Sequence, residues 1–483
     1  MAGKESNILT ASNTTKKTDD LKRNTDSREP IFGREVTSVF KKHFELPHFK
    51  GDNVKTIVLP ILITFVFFKN LPRLLSMRFY LKKRRKKDPN RELSVLYFSD
   101  NLDETNGIAN NLRHVVSYMK ANGYNVNLAG CAFNTRSRGV VENGYVILIP
   151  RLFSMDQLGY ANSELALPNF ESVLRLFKRY PADLIELETP SPGCWAVAIA
   201  SKIMGIKVIS HYRTDVPSYT RTLVKAKWMH VLVLFLMRVF YRLTLPVISP
   251  SNDYSRILKE EIRIPEKSIQ VLPRGIPLEQ FNPSHRGHGM WEKFGGGNKV
   301  RFLFVGRISK EKDLPFLEEV WHELRQHTNS AEMMFVGSGW YLETLKFHFA
   351  DCPEVHFSGE QGGETLAGLY ADADYFIFPS GTDTFGNVVV EALASGTPSI
   401  VTDKGGPQDI IKDQGCGFIL PFENKELWVK QLKECIDIKT NRVEAHKIMQ
   451  QKAFERSRHF SLENTAKAQW AYFEKLCNKH YKK

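Results

Sequence analysis

Residues Thr382–Pro398 read Thr382-Asp-Thr-Phe-Gly-Asn-Val-Val-Val-Glu-Ala-Leu-Ala-Ser-Gly-Thr-Pro398, and this stretch decides the fold of the 483-residue chain. The apolar run Tyr375–Pro379 before it is predicted to be a buried strand, and residues 380–384 are predicted to be a polar turn. A helix is predicted from Phe385 onward, and Gly396 and Pro398 end it. Such a strand, turn and helix unit is typical of parallel sheets whose faces are covered by helices.

The same stretch carries groups suited to binding a phosphorylated ligand. Phe385, Gly386 and Asn387 fall at the predicted helix start, where backbone N–H groups without intrahelical partners can hold a phosphate. Asp383 lies in the turn, and Glu391 follows eight residues later, which is about two helical turns. We therefore expect Glu391 on the same face, deeper in a cleft, where its carboxylate can accept hydrogen bonds from the vicinal hydroxyls of a ribose.

From Leu93 onward, short apolar runs alternate with helical stretches. The predicted strands are Leu93–Ser99, Tyr124–Ala129, Tyr145–Pro150, Leu184–Glu188, Lys207–His211 and Pro246–Ser249, followed by a second series of Ile269–Leu272, Val300–Val305, Glu332–Val336, Val355–Ser358, Tyr375–Pro379 and Ser399–Thr402. Twelve strands exceed one comfortable sheet, so we expect an α/β chain with two Rossmann-like parallel-sheet lobes facing a cleft. Ligands of such sheets bind beyond the carboxyl ends of the strands.

Composition suggests the domain boundaries. We predict a basic, largely disordered tail over 1–53, an apolar anchor with a polybasic run over 54–88, a first lobe over 89–284, a polar and glycine-rich linker over 285–298, a second lobe over 299–459, and a C-terminal helix over 460–483 that crosses back to the first lobe.

Two further strand ends carry candidate ligand-binding residues. Gly107 lies in a polar loop before a predicted helix, where a glycine allows close approach of a phosphate or sugar to the backbone, although many such turns are only structural. Arg307 and Lys312 lie in the turn after the strand Val300–Val305. Cations near a helix start oppose the helix dipole, so their position favours a bound anion such as a diphosphate, the alternative being two solvated charges.

Together these motifs resemble the retaining GT-B glycosyltransferases, especially glycosyltransferase family four, also known as glycosyl transferases group 1. The spacing Asp383-x7-Glu391 is similar to the acidic-x7-Glu signature of that family, whose usual first residue is Glu. The similarity covers Leu93 to the C-terminus. Its other motifs are the Gly107 loop, Gly306-Arg307 with Lys312, Val336-Gly-Ser-Gly339, Gly405-Gly-Pro407 and His211 in Ser210-His-Tyr-Arg-Thr-Asp215.

The resemblance implies how the donor, a UDP- or GDP-linked hexose, is bound. Arg307 and Lys312 would neutralise the diphosphate as it leaves, and the amides at the helix start, from Phe385 to Asn387, would assist them. Glu391 would hold the ribose. Gly107 would approach the donor from the first lobe.

For the chemical step, the resemblance implies that Asp383 contacts donor-sugar hydroxyls and supports the oxocarbenium-like charge. His211 would lie near the primary hydroxyl of the sugar or near the acceptor. Relatives keep the anomeric configuration and use no metal, so we expect no cofactor and no metal site; the basic pair supplies the electrostatic stabilisation. The six cysteines show no zinc-site spacing and are expected to be reduced thiols.

The positive charge is concentrated at the N-terminus. Residues 1–90 hold 20 of the 67 Lys and Arg residues but only 9 of the 53 Asp and Glu residues, and so carry +11 of the net charge of +14. A nucleic-acid-binding core would carry its basic face within a folded domain, so no nucleic-acid partner is expected.

The basic region adjoins an apolar segment. Ile57–Phe68 is uncharged but shorter than the roughly 17–25 residues of a spanning helix, so the choice between spanning and dipping into one leaflet stays open. The six cations Lys82–Lys87 follow. This pairing predicts association with an anionic membrane surface and a catalytic body on the cytoplasmic side. The alternatives are a core helix beside a solvated charge run, and a nuclear-localisation signal.

The acceptor is inferred from the membrane features. The anchor, with an almost wholly apolar helix over 228–245, favours a membrane lipid or a lipid-linked glycan as acceptor, although that helix taken alone fits the core of the first lobe better than a membrane surface. Alternatives are a soluble or polysaccharide acceptor, a nucleotide-sugar epimerase or a phosphorylase, and a non-catalytic membrane-tethered scaffold. The intact Asp383, Glu391, Arg307 and Lys312 argue against a scaffold.

Overall fold

The structure, a computed structural model, describes residues 70–88, 91–100, 102, 107–132, 141–143, 146–156, 164–217 and 227–481. The predicted tail over 1–53 and the apolar segment Ile57–Phe68 lie outside the described residues. Both lobes belong to one compact unit.

A mostly parallel sheet forms the first lobe, in the order β3-β4-β2-β1-β6-β7-β8-β9, with β5 paired to β4. Among the strands that the structure describes, only the β3–β4 and β4–β5 pairs are antiparallel. The strands are β1 (Val95–Ser99), β2 (Val126–Ala132), β3 (Val141–Asn143), β4 (Val146–Asp156), β5 (Glu164–Pro168), β6 (Leu184–Leu187), β7 (Lys207–His211), β8 (Val247–Ser249) and β9 (Ile269–Val271). The helices are α1 (70–87), α2 (Gly107–Ala121), α3 (Phe170–Arg179), α4 (Pro192–Met204), α5 (Lys227–Leu243) and α6 (Asn252–Glu260).

The second lobe is an all-parallel sheet in the order β12-β11-β10-β13-β14-β15. Its strands are β10 (Val300–Val305), β11 (Ala331–Val336), β12 (Val355–Gly359), β13 (Tyr375–Phe378), β14 (Ser399–Thr402) and β15 (Gly417–Leu420). The helices are α7 (Leu314–Arg325), α8 (Leu342–His348), α9 (Gly363–Asp372), α10 (Asn387–Ala394), α11 (Pro407–Ile411), α12 (Lys425–Asn441) and α13 (Val443–Ser457). The C-terminal α14 (Leu462–Tyr481) returns to the first lobe. Short 3-10 helices cover Glu266–Ser268, Leu278–Gln280, Pro283–His285, Glu292–Phe294, Lys310–Lys312 and Arg458–Phe460.

This arrangement confirms the predicted two-lobed α/β fold, and all twelve predicted strands form. Ile269–Val271 pairs with Val247–Ser249 and so lies in the first sheet, within the predicted bounds 89–284 of the first lobe, although the series of predicted strands grouped it with those of the second lobe. Three strands were not predicted, namely β3, β5 and β15. β3 and β5 are attached to β4 by antiparallel pairing, which the apolar-run pattern of a parallel sheet does not signal.

Aromatic packing and close backbone approach shape the second lobe near its strand ends. Phe304 stacks on Phe378 with ring centroids 5.9 Å apart, which joins β10 to β13 in the core. A Cβ on Gly337 would lie 1.9 Å from the carbonyl oxygen of Gly306. Because φ at Gly337 is +140°, the loops after β10 and β11 can pass each other only with glycine there.

The chain passes between the lobes twice, and the two crossings are paired. The amide of Ile276 donates to the carbonyl of Phe460 over 2.9 Å, and Ile276 and Ser461 form a parallel bridge. After the second crossing, α14 packs into the core of the first lobe, where Phe473 is fully buried against Tyr97. The segment 285–298, expected to be a linker, packs on the second lobe, with Trp291 fully buried.

The predicted polybasic run forms the end of α1, which lies against the first lobe. Leu74 and Leu81 are buried, and Arg85 donates to the carbonyl of Gly205 over 3.0 Å. Phe79, by contrast, is 72% exposed. Among the described residues, no helix is both long and apolar enough to cross a membrane.

Helix α5, expected to be either a core helix or a membrane-facing helix, has one buried and one exposed apolar side. Met237, Phe240 and Tyr241 are buried in the first lobe. Trp228, Val231, Phe235 and Val239 are exposed, and their spacing of three and four residues places them along one side of the helix. Only one side of α5 therefore lies in the core of the first lobe, as the prediction of a core helix requires.

The packing of α14 predicts how the first lobe responds to truncation of a buried ring. Phe473→Ala removes a fully buried side chain, and we expect the free energy of unfolding to fall by about 3–5 kcal/mol. Urea denaturation measures this change. Phe347→Ala is the matched control, because Phe347 is 79% exposed and its loss should change stability by less than about 0.5 kcal/mol. Equal effects of the two substitutions would contradict the placement of α14 in the core.

Candidate active site

An ion pair in the loops that follow β10 and β13 joins two of the predicted site residues. The ammonium of Lys312 lies 2.9 Å from Oδ2 of Asp383, and Oδ1 of Asp383 accepts the amide of Phe385 over 3.1 Å. Burial alone would raise the pKa of Asp383, but Lys312, the Phe385 amide and Arg274 outweigh it and hold that pKa below the ordinary value. Asp383 is therefore an anion at neutral pH.

Arg307 lies at the end of β10 and remains partly exposed. Its Nη1 is 3.8 Å from Oε1 of Glu311, a residue of the short 3-10 helix Lys310–Lys312. Arg307 and Lys312 thus flank the same turn, as expected, but each already faces a carboxylate of the protein. A diphosphate bound at this turn would have to share these cations with Glu311 and Asp383.

The helix expected from Phe385 begins two residues later. Gly386 is the N-cap of α10, with φ of 98°, and Asn387 is the first helical residue. Asp383 lies outside the helix, so the argument that Asp383 and Glu391 share a helical face was wrong. The amide of Phe385, which we expected to bind a ligand, donates its hydrogen bond to Oδ1 of Asp383 instead. Among the described residues, none accepts a hydrogen bond from the amide of Gly386, which leaves that donor for a ligand.

Glu391 is paired with a residue that the sequence did not single out. Oε2 of Glu391 accepts a hydrogen bond from the hydroxyl of Tyr370 over 2.9 Å. Tyr370 is a buried residue of α9, and the sequence did not indicate a role for it at the site. Burial raises the pKa of Glu391 to about 7, and the Tyr370 hydroxyl opposes that rise. A carboxyl that changes charge near neutral pH therefore lies at the place predicted for the ribose.

The first lobe contributes a buried charged network at the ends of β6 and β7. Nδ1 of His211 lies 3.0 Å from Oε1 of Glu186, and Nε of Arg213 lies 2.5 Å from Oε2 of Glu188. His211 is only 2% exposed, and its Nε2 is buried without a hydrogen-bond partner among the described residues. Burial, followed by Arg213 and Arg274, lowers the pKa of His211 well below its ordinary value, so the ring is neutral.

Glu186, Glu188 and His211 are close enough to suggest a metal site, since their ligand atoms all lie within 4.8 Å of one another. Side chains from outside this set already bind two of these three residues. Arg213 compensates Glu188, and Gln469 of α14 donates to Glu186 over 3.4 Å. The donor set is thus organised by the Arg213–Glu188 ion pair and by hydrogen bonds, one of which connects Glu186 to the C-terminal helix.

The two lobes touch at the loop that carries Asp383. Arg274, on the first crossing, donates to the hydroxyl of Thr384 over 3.0 Å and to the carbonyl of Arg213 over 3.0 Å. The Tyr254 hydroxyl donates to the carbonyl of Thr382 over 2.9 Å. Neither Arg274 nor Tyr254 stood out in the sequence, because the lobe contact that gives them a role brings together residues more than 100 positions apart.

Gly107 begins α2, and the loop residues 103–106 before it lie outside the described residues. Asp100 precedes Gly107 in the sequence and lies buried directly after β1. Its carboxylate accepts a hydrogen bond from the amide of Gly193, at the start of α4, over 3.0 Å. Burial raises the pKa of Asp100 to about 6. The structure thus brings Asp383, Lys312 and the α10 start together, while Glu391 pairs with Tyr370 and His211 stays in the first-lobe network.

The raised pKa of Glu391 predicts a pH-dependent stability effect. With a folded pKa near 7 and an ordinary value of 4.5, the unfolded chain loses this proton first, so the free energy of unfolding falls as pH rises from about 5 to 7. Glu391→Gln keeps an acceptor for Tyr370 and removes this loss. We expect the variant to be about 1–3 kcal/mol more stable than the parent at pH 8, with the difference vanishing below pH 4.5.

Thermal and urea unfolding across pH 4–8 measure this difference. Glu319→Gln, at an exposed position of α7, is the matched control and should show no such trend. A pH-independent effect of Glu391→Gln would contradict the raised pKa.

Comparison with known proteins agrees with this geometry. Family models match residues 292–456, described as glycosyl transferases group 1, and residues 105–280, described as Glycosyltransferase Family 4. The sulfoquinovosyl transferase SQD2 of Arabidopsis thaliana is 27% identical over 314 residues, covering 64% of this chain and 58% of that protein. The alpha-monoglucosyldiacylglycerol synthase of Streptococcus pneumoniae is 27% identical, covering 65% of this chain and 72% of that protein.

Sucrose-phosphate synthase from Thermosynechococcus elongatus has the same fold, with a TM-score of 0.62 at 18% identity, over 80% of this chain and 99% of that chain. The two family matches include His211 in the first lobe and Arg307, Lys312, Asp383 and Glu391 in the second. The chain belongs to the group 1, family 4-like glycosyltransferases and is a glycosyltransferase of the GT-B fold.

Proposed function

We propose that this glycosyltransferase moves a hexose from a UDP- or GDP-linked donor to a membrane lipid or lipid-linked glycan, with retention of the anomeric configuration. The observation that carries the proposal is the Lys312–Asp383 pair at 2.9 Å, placed beside the start of α10 and against the first lobe. It combines a cation for a departing diphosphate with an anion for a developing positive charge.

The donor half rests on second-lobe groups. Lys312 and Arg307 provide positive charge at the end of β10, and the Gly386 amide provides a donor at the start of α10. Glu391, which is held by the hydroxyl of Tyr370, accepts hydrogen bonds from the ribose hydroxyls when its carboxyl group is ionised. Charge on the protein replaces the work that a metal ion performs in other nucleotide-sugar enzymes, so the proposal includes no metal or cofactor.

The proposed transfer step uses these groups. The bond between the anomeric carbon and the diphosphate oxygen breaks, and a bond from that carbon to the acceptor hydroxyl oxygen forms on the same face. The acceptor proton passes to the departing diphosphate, whose negative charge Lys312 and Arg307 stabilise. Asp383, held as an anion, stabilises the oxocarbenium-like sugar in the transition state.

The lipid acceptor is supported by a relative and by the surface of the first lobe. The Streptococcus pneumoniae relative is named for a diacylglycerol product. In this chain, α5 exposes Trp228, Val231, Phe235 and Val239 along one side. An apolar helix face of this kind suits the boundary between lipid headgroups and acyl chains.

Helix α1 provides the charge expected at an anionic membrane. Leu75, Phe79, Lys83 and Lys86 recur at intervals of three or four residues, so they share the side opposite the buried Leu74 and Leu81. Aromatic and aliphatic groups interspersed with exposed lysines fit a peripheral contact with anionic lipids, at about 1 kcal/mol per lysine. We propose that this contact holds the catalytic body on the cytoplasmic side.

Asp383→Asn tests the donor half. The amide keeps an acceptor for the Phe385 N–H but loses the charge opposite Lys312, so we expect kcat to fall at least about 100-fold with sugar-nucleotide affinity changed only a few-fold. Turnover is measured with a panel of UDP- and GDP-sugars and a membrane lipid extract. Asp413→Asn, at an exposed position of the same lobe, is the control. NMR of the product reports its anomeric configuration, and inversion would refute the retaining mechanism.

The double variant Phe79→Ser, Lys83→Glu tests the membrane surface. It removes an exposed ring and reverses one charge on α1, and we expect binding of the full chain to phosphatidylserine vesicles to weaken about tenfold or more. Sedimentation with anionic and with neutral vesicles measures it. Phe347→Ser, Lys346→Glu places the same changes on α8 of the second lobe and should bind like the parent. Equal binding of both variants would show that α1 is not the contact.

A further inference from the structure

The loop that carries Asp383 is held on both sides by groups outside the second lobe. On the N-terminal side, the hydroxyl of Tyr254 donates to the carbonyl of Thr382 over 2.9 Å. On the C-terminal side, Thr384 donates its hydroxyl proton to the carbonyl of Arg213 over 3.0 Å and accepts from Arg274 over 3.0 Å. Asp383 lies between these two attachment points, so its backbone position depends on the first lobe.

Arg274 is well suited to this contact because its guanidinium is trapped. The residue is 8% exposed, lies on the first crossing between the lobes, and has its charged carbon 6.0 Å from the ring centroid of Phe385. The next residue, Gly275, is fixed to the first lobe, since its carbonyl accepts from Asn111 of α2 over 2.6 Å. Arg274 therefore reaches the Asp383 loop from a backbone that the first lobe anchors.

A second set of contacts lies at the start of α6. The carboxylate of Asp253 accepts the amide of Gly405 over 3.0 Å, and the amide of Asn252 donates to Asp409 over 2.5 Å. These bonds join α6 of the first lobe to the loop after β14 and to α11. Tyr254, which bonds to Thr382, also lies on α6. A rotation of the lobes that opens the cleft at α6 must therefore break all three hydrogen bonds.

We infer that Tyr254 and Arg274 are positioning residues that make the placement of Asp383 conditional on closure of the two lobes. Each acts through the backbone or hydroxyl next to Asp383 and not on the substrate itself. The Lys312–Asp383 pair is thereby aligned with the first-lobe network of Arg213 and Glu188 only in the closed chain. This role rests on the proposed part of Asp383 in catalysis.

Tyr254→Phe removes one hydroxyl that lies within hydrogen-bond distance of both Thr382 and Asp215. We expect kcat to fall about tenfold, the effect of one hydrogen bond of ordinary to upper strength, while the dissociation constant of the sugar nucleotide stays within about twofold. Tyr241→Phe is the control: Tyr241 is equally buried in the first lobe, and its hydroxyl has no hydrogen-bond partner among the described residues. We expect Arg274→Lys to lower kcat by a similar factor, because lysine keeps the positive charge but lacks the forked guanidinium that binds both Thr384 and the carbonyl of Arg213.

Small-angle scattering of the full chain provides a readout that does not depend on turnover. Closure held by these contacts predicts a larger radius of gyration for Tyr254→Phe combined with Arg274→Lys than for the parent or for Tyr241→Phe. An unchanged radius of gyration, a kcat equal to that of Tyr241→Phe, or a parallel loss of kcat and nucleotide affinity would overturn the inference. A parent chain that turns over no sugar nucleotide would instead refute the proposed function, and the scattering result would still decide whether these residues hold the cleft closed.

Discussion

The rest of the structure depends on the pairing of the two crossings between the lobes. The hydrogen bond from the amide of Ile276 to the carbonyl of Phe460 ties the outgoing segment to the returning one. The outgoing segment carries Arg274 into the cleft. The returning segment continues into α14, which fills the core of the first lobe and brings Gln469 to Glu186. One short parallel contact thus sets both the relation of the lobes and the floor of the active site.

Charge compensation is the second constraint. The parallel sheets place their strand ends at the cleft, and these ends carry Glu186, Glu188 and Asp383 in surroundings where an isolated anion is costly. Arg213, Arg274 and Lys312 offset the charge of Glu188 and Asp383, whereas burial and the neighbouring Glu188 raise the pKa of Glu186 well above its ordinary value. Because removing one partner of a buried pair costs about 3–5 kcal/mol, such groups are held in one geometry before any substrate arrives. This is the preorganisation that stabilisation of a glycosyl transition state requires.

Much of this was predictable from residue pattern. The strand runs are continuous and apolar because both faces of a parallel sheet are buried, so the second lobe could be assigned nearly strand by strand. The turn residues Asp383, Arg307 and Lys312 were identifiable because charged groups directly after buried strands have few structural reasons to be there. The predicted start of α10 was wrong, because Gly386 caps the helix, and a cap is not a property of local composition. The grouping of Ile269–Val271 with the second series of strands also differed, because pairing with β8 places this strand in the first sheet.

The architecture and the candidate site residues could be predicted from the sequence alone, since periodicity, glycine positions and the spacing of acids and bases are local properties. The partners of these residues became visible only in the folded chain. Lys312 faces Asp383 from 71 positions away, Tyr370 holds Glu391 from 21, and Arg274 reaches Thr384 from 110. The physical reason is that a pKa or a hydrogen bond depends on which groups share a small volume. That proximity is created when helices and strands pack, and no linear pattern encodes it directly.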